Sequence, residues 1–291
     1  MGRIRSKMLL SILYDRLRWE EKALAEEANK MGLNVDLVDA KTCPLELVGN
    51  AVSKTPFGDV VLERCMSHMR GLYCAAILEK EKVVINSFDV LSITSNKLLT
   101  TLALDKAKIP TPRTAAAFSQ ESALELADRM GYPLVIKPIV GSWGKMIACL
   151  RDKREAQALF ETREMLHEPL QQIYYLQEYI RRPPRDIRAI VIGDNLLTSI
   201  FRYQPDDDWR TNVARGGYSE LASLDKDQEE LILKAADAVG GGVLGVDAME
   251  SERGLLIHEI NGSVEFKGAS SVSTVNIPKA IAGYALEKAK K

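Results

Sequence analysis

Two neighbouring apolar runs near the end of the chain place the strongest constraint on its fold. Residues 243–249 and 254–261 are separated by the polar stretch Glu-Ser-Glu-Arg, which is followed by a glycine. This pattern predicts a β-hairpin of two buried strands. Side chains alternate along a strand, so Glu259 and Asn261 share one face. The hairpin would bring Asp247 next to both of them.

Three oxygen donors therefore meet where the neighbouring residues are apolar. A carboxylate is costly to bury unless it is paired or bound to a metal. Mg²⁺ usually takes one or two carboxylates and leaves positions for water and substrate phosphate. The motif alone predicts a magnesium-nucleotide site or, equally well, one carboxylate paired with a nearby lysine or arginine.

Composition narrows the class of protein. The chain has 291 residues, of which 46% are hydrophobic and 27% charged, as expected of a globular protein of two or three domains. Its net charge of -1 does not favour nucleic acid or an anionic membrane as a partner. No apolar run approaches the roughly 20 residues that span a bilayer. The run 8–14 is ended by Asp15 and Arg16 without a small-residue cleavage site, so we predict a first strand and a cytoplasmic protein.

Strand and helix patterns alternate in the first third of the chain, which indicates a parallel α/β layer. The predicted strands are 8–14, 35–38, 59–62 and 82–85, and the predicted helices are 18–31 and 67–79. The pattern changes after Ser87. The elements predicted there are helices 95–106, 121–130, 228–239 and 278–291, strand 134–138, and a hairpin of 189–192 with 196–201.

Lys137 and the loop that follows it are candidates for phosphate binding. Lys137 ends an apolar strand, and the loop reads Gly-Ser-Trp-Gly-Lys from Gly141. Glycines let backbone N–H groups approach a phosphate closely, and lysine supplies a point charge. The spacing of a Walker A loop is absent. A simple hairpin turn would explain the glycines as well, and Lys97 is by default a surface lysine of its helix.

Polar groups at other strand ends allow similar alternatives. Backbone groups at the end of Gln177–Ile180 could pair with the edge of adenine, and Glu178 could accept from its amine. An ordinary strand end would look the same. In Arg185–Arg188, alternation sets Asp186 and Arg188 on one face. Arginine binds phosphate and carboxylate in a bidentate manner. Taken singly, such arginines more often form surface salt bridges.

Taken together and in this order, these residues resemble the ATP-grasp superfamily. Within it, the chain resembles the branch of ribosomal protein S6 glutamate ligase and, in that branch, the LysX/ArgX ligases of carrier-protein-dependent lysine and arginine biosynthesis. Asn212–Gly217 belongs to the ordered features of the superfamily. The segments that carry the LysX/ArgX resemblance are Ile12–Arg16, Lys137–Gly144, Arg185–Arg188, Glu250–Leu256 and Glu265–Lys267.

The resemblance implies a fold of mixed α/β and α+β class. An N-terminal parallel α/β domain, residues 1–92, would precede the two subdomains of the ATP-grasp fold. The central subdomain, 93–177, would carry the lid and the glycine-rich loop. The C-terminal subdomain, 178–291, would carry the metal and substrate site.

The resemblance also implies roles for individual residues. ATP would be bound with two Mg²⁺ ions held by Asp247, Glu259 and Asn261. Nucleotide contacts would come from Lys97, Lys137, Gly141, Ser142, Trp143, Gly144, Glu178, Tyr179, Ile180, Arg185 and Asp186. Arg202 and Arg215 would be catalytic. The substrates would contact Arg202, Asn212, Arg215, Gly268 and Ala269.

The implied reaction is an ATP-dependent ligation. A carboxylate of the C-terminal glutamate of a small acidic amino-group carrier protein would form an acyl phosphate. The amino group of free aminoadipate or glutamate would then displace phosphate. The family resemblance implies a homo-oligomer, a dimer or tetramer, with no role for nucleic acid or membrane.

The chain departs from the family pattern at two places. Ser95-Asn96 precedes Lys97, where members often have Gly-Asp. After Glu-Phe-Lys the chain has Gly268-Ala269, whereas aminoadipate-specific members resemble Asn-Ser or Asn-Thr and glutamate-specific members Gly-Phe. Gly268 and the Trp209-Arg210 pair favour glutamate, but Ala269 leaves room for one more methylene. Since one methylene is worth only about 1–3 kcal/mol, either amino acid or both remain open.

Two other functions remain open at this point. One is an S6-type or coenzyme-type α-glutamate ligase that needs no carrier protein. The other is a non-catalytic nucleotide-binding module, which the loss of Asp247, Glu259 or Asn261 would favour. All three are present.

Overall fold

The N-terminal third forms a four-stranded parallel sheet in the order β2-β1-β3-β4. The computed structural model describes residues 8–48, 57–141, 144–205, 208–211 and 217–290. The strands are β1 (Leu9–Tyr14), β2 (Asn34–Asp39), β3 (Val60–Glu63) and β4 (Val83–Ile85), and the connecting helices are α1 (Trp19–Lys30) and α2 (His68–Leu78). Buried apolar runs in β1 and β3 explain the arrangement, because parallel strands are covered on both faces. The predicted parallel layer is confirmed.

The helix predicted over 95–106 is confirmed, and a second helix that the sequence did not predict precedes it. In chain order they are α3 (Phe88–Thr94) and α4 (Lys97–Lys106). Asn96 separates them, because its side-chain oxygen accepts the backbone N–H groups of Leu98 at 3.0 Å and Leu99 at 3.3 Å and so caps α4. The Asn96 that departs from the expected Gly-Asp therefore still provides an N-cap. Val90 and Leu104 pack into the core of the C-terminal sheet, so the boundary at residue 92 stays a prediction.

A second four-stranded sheet follows, in the order β5-β8-β6-β7, and its neighbours are antiparallel. Its strands are β5 (Thr114–Ala117), β6 (Leu134–Lys137), β7 (Ala148–Leu150) and β8 (Tyr174–Glu178). It packs against α5 (Gln120–Met130) and α6 (Lys153–Met165). The sequence did not predict α6. Of its apolar side chains only Ala156 and Phe160 are buried, so its helical period is weak.

The third sheet has five antiparallel strands in the order β11-β10-β9-β12-β13. They are β9 (Arg185–Ile192), β10 (Asn195–Tyr203), β11 (Ser219–Leu221), β12 (Val243–Ser251) and β13 (Gly254–Asn261). The helices around it are α7 (Lys226–Ala238), α8 (Lys267–Ser270) and α9 (Ile277–Lys288). Ile281 and Ala285 of α9 share a core with Leu24 and Ala28 of α1, so the end of the chain packs on the N-terminal layer.

The predicted hairpin of β12 and β13 is confirmed, and it contains a β-bulge. Asp247 lies opposite Glu259, whereas Ala248 lies opposite Ile257, so His258 is the extra residue. A bulge re-aims side chains next to functional sites. His258 and Glu259 consequently both line the same cavity.

The helices of the described chain are short, and the longest of them have 13 residues. In the parts of the chain that the structure covers, no helix combines the length and apolarity needed to cross a membrane.

Candidate active site

A cavity of about 740 Å³ lies where residues of the three sheets meet. The N-terminal layer contributes Arg18 and Glu63, and the central sheet contributes Lys137. The β12–β13 hairpin contributes Asp247 and Glu259. The topology therefore brings together most of the polar residues that the sequence singled out.

The hairpin places its three oxygen donors together as predicted. Asp247 is 3% exposed and lies opposite Glu259 across the strand pair. The Nδ2 of Asn261 lies 3.4 Å from Oδ2 of Asp247. Their role as metal ligands stays a prediction.

Asp247 is paired with two arginines. Arg188 binds both of its carboxylate oxygens, and NH2 of Arg202 lies 3.1 Å from Oδ2. Burial alone would raise the pKa of Asp247, but the two guanidinium groups hold it well below its usual range. The carboxylate is therefore anionic at neutral pH, and the simple pairing that the sequence left open is present.

Arg202 is held by a second carboxylate. It donates from Nε and NH2 to the two oxygens of Asp186, each at 2.8 Å. The hydroxyl of Thr211 also donates to Asp186. Asp186 is 2% exposed and lines the cavity. Its two oxygens are engaged with Arg202 and Thr211, so it orients the Arg202 guanidinium.

The donor set of the hairpin suits magnesium bound together with a phosphate. Among the described residues, no group of three or more His, Cys, Asp or Glu side chains is placed to hold a metal ion. Asp247 and Glu259 offer carboxylates and Asn261 an amide oxygen. This is the small oxygen set that Mg²⁺ completes with water and substrate phosphate oxygens.

Both candidate phosphate lysines are buried. Lys137 is 5% exposed, and its Nζ donates to Oε1 of Gln177 at 2.7 Å. Lys97 is 8% exposed, and its Nζ lies 2.8 Å from the carbonyl oxygen of Gly141 and 3.2 Å from Oε1 of Glu259. The default assignment of Lys97 to the surface is therefore wrong. Both side chains line the cavity.

The glycine-rich loop is described at its two ends, and both ends line the cavity. Gly144 has φ +63°, a left-handed conformation that glycine adopts without steric cost. Its carbonyl oxygen accepts from NH1 of Arg210 at 3.1 Å. Ser142 and Trp143, predicted to cover the phosphates, lie outside the described residues.

The predicted adenine segment also lines the cavity, with Glu178, Tyr179 and Ile180 side by side. Oε1 of Glu178 accepts the backbone N–H of Arg113 at 2.6 Å and also a guanidinium N–H of Arg253. These bonds hold the end of β8 against the loop before β5. An adenine contact at this strand end stays a prediction.

Arg185 does not reach the cavity. Its guanidinium pairs with Glu250 at 2.8 and 3.0 Å and lies 3.7 Å from the ring centroid of Phe201. Successive side chains of a strand point to opposite faces, so Arg185 faces away from Asp186 and Arg188. The predicted nucleotide contact of Arg185 is wrong.

The predicted amino-acid end of the cavity contains Gly268 and Ala269. Ala269 is 3% exposed and packs in the same core as Phe266 and Ile281. A Cβ added at Gly268 would meet only Oγ of Ser219, at 3.9 Å, so the open space lies at Gly268. Filling the pocket by Ala269→Phe would therefore overpack the core. Asn212 and Arg215 lie outside the described residues.

Comparison with known proteins fits this arrangement. Residues 94–285 match the RimK-like ATP-grasp domain, and residues 10–93 match the LysX preATP-grasp domain. The chain belongs to the RimK-like ATP-grasp family. The resemblance stated from the sequence is confirmed.

Two similar relatives are named for different amino-acid substrates. The chain is 39% identical to the alpha-aminoadipate–LysW ligase LysX of Sulfurisphaera tokodaii over 274 residues, 93% of this chain and 95% of that protein. It is 34% identical to the glutamate–LysW ligase ArgX of Sulfolobus acidocaldarius over 279 residues, 95% of this chain and 98% of that protein. A RimK domain ATP-grasp protein from Sphaerobacter thermophilus superposes with a TM-score of 0.80 at 23% identity, covering 94% and 98% of the two chains. That structural likeness confirms the ATP-grasp fold.

Some residues of the cavity had no role in the sequence interpretation. Arg188 was placed on the correct face and counted among the arginines that could bind phosphate or carboxylate, but it was not named as a site residue. The two ring nitrogens of His258 are buried and have no hydrogen-bond partner among the described residues. Burial and the nearby Lys137 lower the pKa of His258 well below its usual range. The sequence contains no signal for the β-bulge that directs the side chain of His258 into the cavity.

The titration of Lys137 predicts a pH dependence of ATP capture. Burial lowers the pKa of Lys137 to about 8, although Glu259 opposes the shift. Lys137 is therefore charged below this pH and loses its charge as the pH rises. We expect kcat/KM for ATP to fall above about pH 8, while kcat at saturating ATP changes little, because bound triphosphate favours the ammonium form.

The measurement is a steady-state pH profile with Mg²⁺ and the other substrates saturating. Lys137→Arg is the control, because a guanidinium stays charged throughout this range. In that variant the fall near pH 8 should disappear. A wild-type kcat/KM for ATP that stays flat through pH 8 would contradict the placement of Lys137 against phosphate.

Proposed function

We propose that the chain is an ATP-dependent carboxylate–amine ligase of amino-acid biosynthesis. It joins the amino group of aminoadipate, glutamate or both to the C-terminal glutamate of a small acidic carrier protein of the LysW type. The proposal rests on one observation. The buried lysines, the paired arginines and the oxygen donors of the hairpin all line the same cavity. Relatives named as LysW ligases, matched over nearly the full chain, support the choice of acceptor.

In this proposal the buried lysines hold the phosphates. The Nζ of Lys137 and the Nζ of Lys97 offer positive charge from the central sheet and from the start of α4. The backbone at Gly141 and Gly144 lies beside them and can approach the phosphates closely. Mg²⁺ ions at Asp247, Glu259 and Asn261 would neutralise charge on the transferred phosphoryl group. Phosphoryl transfer needs such positioning and charge, and no covalent nucleophile of the protein.

The reaction then has two steps. An oxygen of the acceptor carboxylate bonds to the γ-phosphorus of ATP as the bond to ADP breaks, which forms an acyl phosphate. The free amine of the amino acid attacks the acyl carbon, phosphate leaves, and the amine loses a proton as the amide forms. Arg202, which Asp186 holds in a bidentate pair, is proposed to stabilise negative charge on the acyl phosphate. Arg215 is proposed to assist it.

An assay of ADP release tests this function. We expect release only when ATP, a LysW-type carrier with an intact C-terminal glutamate, and aminoadipate or glutamate are all present. A carrier truncated by its last residue is the control and should give no release. Equal release with the truncated carrier, or with glutamate alone, would show a ligase with another acceptor. Binding of ATP without any acceptor-dependent turnover would show a non-catalytic module.

Gly268 offers a test of the amino-acid end. Gly268→Val should fill the open space beside Ser219 and disfavour aminoadipate, the longer substrate, relative to glutamate. The ratio of the two kcat/KM values should change about tenfold, as one methylene allows. Gly283→Val is a matched control, because a Cβ there meets only Cε of Met31 at 3.9 Å, away from the cavity. An unchanged ratio of the two kcat/KM values in Gly268→Val would show that Gly268 does not line the amino-acid pocket.

A further inference from the structure

The segment that leads to Gly268 leaves the C-terminal sheet and packs on the N-terminal layer. Phe266 is fully buried in a core that also contains Leu10 and Leu24. The ring of Trp19 meets the Phe266 ring edge-on, with the two centroids 5.9 Å apart. The guanidinium of Arg64 lies 5.6 Å from the centroid of the same ring. The N-terminal layer therefore holds Phe266 by an aromatic ring and a cation.

A buried carboxylate joins this contact to a second one. Glu21 is fully buried and accepts from the backbone N–H and NH2 of Arg18, each at 2.8 Å. Nε of Arg64 lies 3.4 Å from Oε1 of Glu21. From this anchor, NH1 of Arg18 donates to Oε1 of Glu265 at 2.9 Å. We call Arg18, Glu21 and Arg64 the arginine clamp on residues 265–266.

The arginine clamp is a costly arrangement to bury. Burial raises the pKa of Glu21, but Arg18 and Arg64 outweigh it and keep the pKa below its usual value. NH2 of Arg64 is buried without a hydrogen-bond partner among the described residues. A buried ion cluster of this kind is weak as a source of stability compared with an apolar core. Its charges instead favour one position of residues 265–266 relative to the N-terminal layer.

The fixed segment is short and ends at the cavity. Residues 265 and 266 are held by the arginine clamp, and the next turn, α8, presents Gly268 and Ala269. A pocket wall must be held within about 0.5 Å for a productive geometry. Displacing Phe266 would displace this wall.

We propose that Arg18 and Arg64 are positioning residues for the amino-acid end of the active site, acting through Glu265 and Phe266. This inference rests on the proposed function. Arg18 lines the cavity and Arg64 does not, so the two variants distinguish positioning from direct contact with substrate. Positioning predicts similar effects at both sites, whereas direct contact predicts an effect at Arg18 alone.

The experiment measures KM for the amino acid and for ATP in Arg18→Met and Arg64→Met, both of which keep side-chain volume. We expect KM for the amino acid to rise roughly tenfold in each, with KM for ATP within about twofold. Arg18→Lys should recover part of the loss because it keeps a charge for Glu265. Glu27→Gln is the control. Oε2 of Glu27 accepts from Nδ2 of Asn276 at 2.8 Å, so the variant weakens another contact of α1 with the C-terminal part.

Hydrogen–deuterium exchange of residues 263–270 in the full-length enzyme is the second measurement. The two methionine variants should speed exchange there, and Glu27→Gln should not. Unchanged exchange, an effect on Arg18→Met alone, or equal rises in both KM values would each overturn the proposal. If the wild type shows no ligation, the proposed function fails, and the exchange data alone decide whether the arginine clamp fixes the segment.

Discussion

Replacing Glu259 with glutamine is expected to lower the turnover of ligation at saturating ATP and Mg²⁺ by about a thousandfold or more. The side chain keeps its shape but loses a negative charge in the cavity, on the residue that lies opposite Asp247 in the strand pair. A bridging Mg²⁺ stabilises developing phosphoryl charge by several kcal/mol, and each 1.36 kcal/mol is tenfold in rate. Asn261→Ala should act in the same direction. Turnover and binding of Mn²⁺ in the presence of ATP are the two measurements.

The matched control lies on the opposite face of the same hairpin. Glu250 pairs with Arg185 outside the cavity, at 2.8 and 3.0 Å. Glu250→Gln should therefore keep turnover and Mn²⁺ binding close to wild type. Near-normal turnover of Glu259→Gln with Mg²⁺ saturating would show that Glu259 is not a ligand of Mg²⁺.

Lys137→Met is expected to lower kcat/KM for ATP by roughly a hundredfold, since losing one partner of a buried charge pair costs 2–5 kcal/mol. Lys137 is 5% exposed and its Nζ donates to Gln177, so solvent screens its charge little. The matched substitution is Lys145→Met in the glycine-rich loop. Lys145 also lines the cavity but is exposed.

Solvent screens an exposed charge, so Lys145→Met should change kcat/KM for ATP only a few-fold. Steady-state kinetics with ATP varied and the other substrates saturating compare the two variants. A larger loss in Lys145→Met than in Lys137→Met would mean that the phosphates lie along the loop and away from the end of β6.

Some site residues could be placed from the sequence because their positions depend on local regularities. Alternation along β13 and the short polar turn before it put Glu259 and Asn261 beside Asp247. Alternation along β9 put Asp186 and Arg188 on one face, and both line the cavity. The same rule, applied to Arg185, should have placed it on the other face. The nucleotide contact was assigned to both Arg185 and Asp186, although only every second side chain of a strand faces the same side.

Other features depend on which elements pack together. Lys97 lies at the start of α4, and its burial comes from contacts with Gly141 and Glu259, which belong to other elements of the fold. Burial in the folded protein lowers the pKa of Lys137 to about 8, although Glu259 opposes the shift. Neither effect can be inferred from neighbours in sequence.

The sequence by itself determined the family, the parallel N-terminal layer and the hairpin of β12 and β13, because each depends on periodicity or on motifs in a definite order. The tertiary structure alone decided the bulge at His258, the pairing of Asp247 with Arg188 and Arg202, and the arginine clamp. Arg18 and Glu265 are 247 positions apart and meet at 2.9 Å. Contacts over such separations arise from the packing of whole layers, which local pattern does not encode.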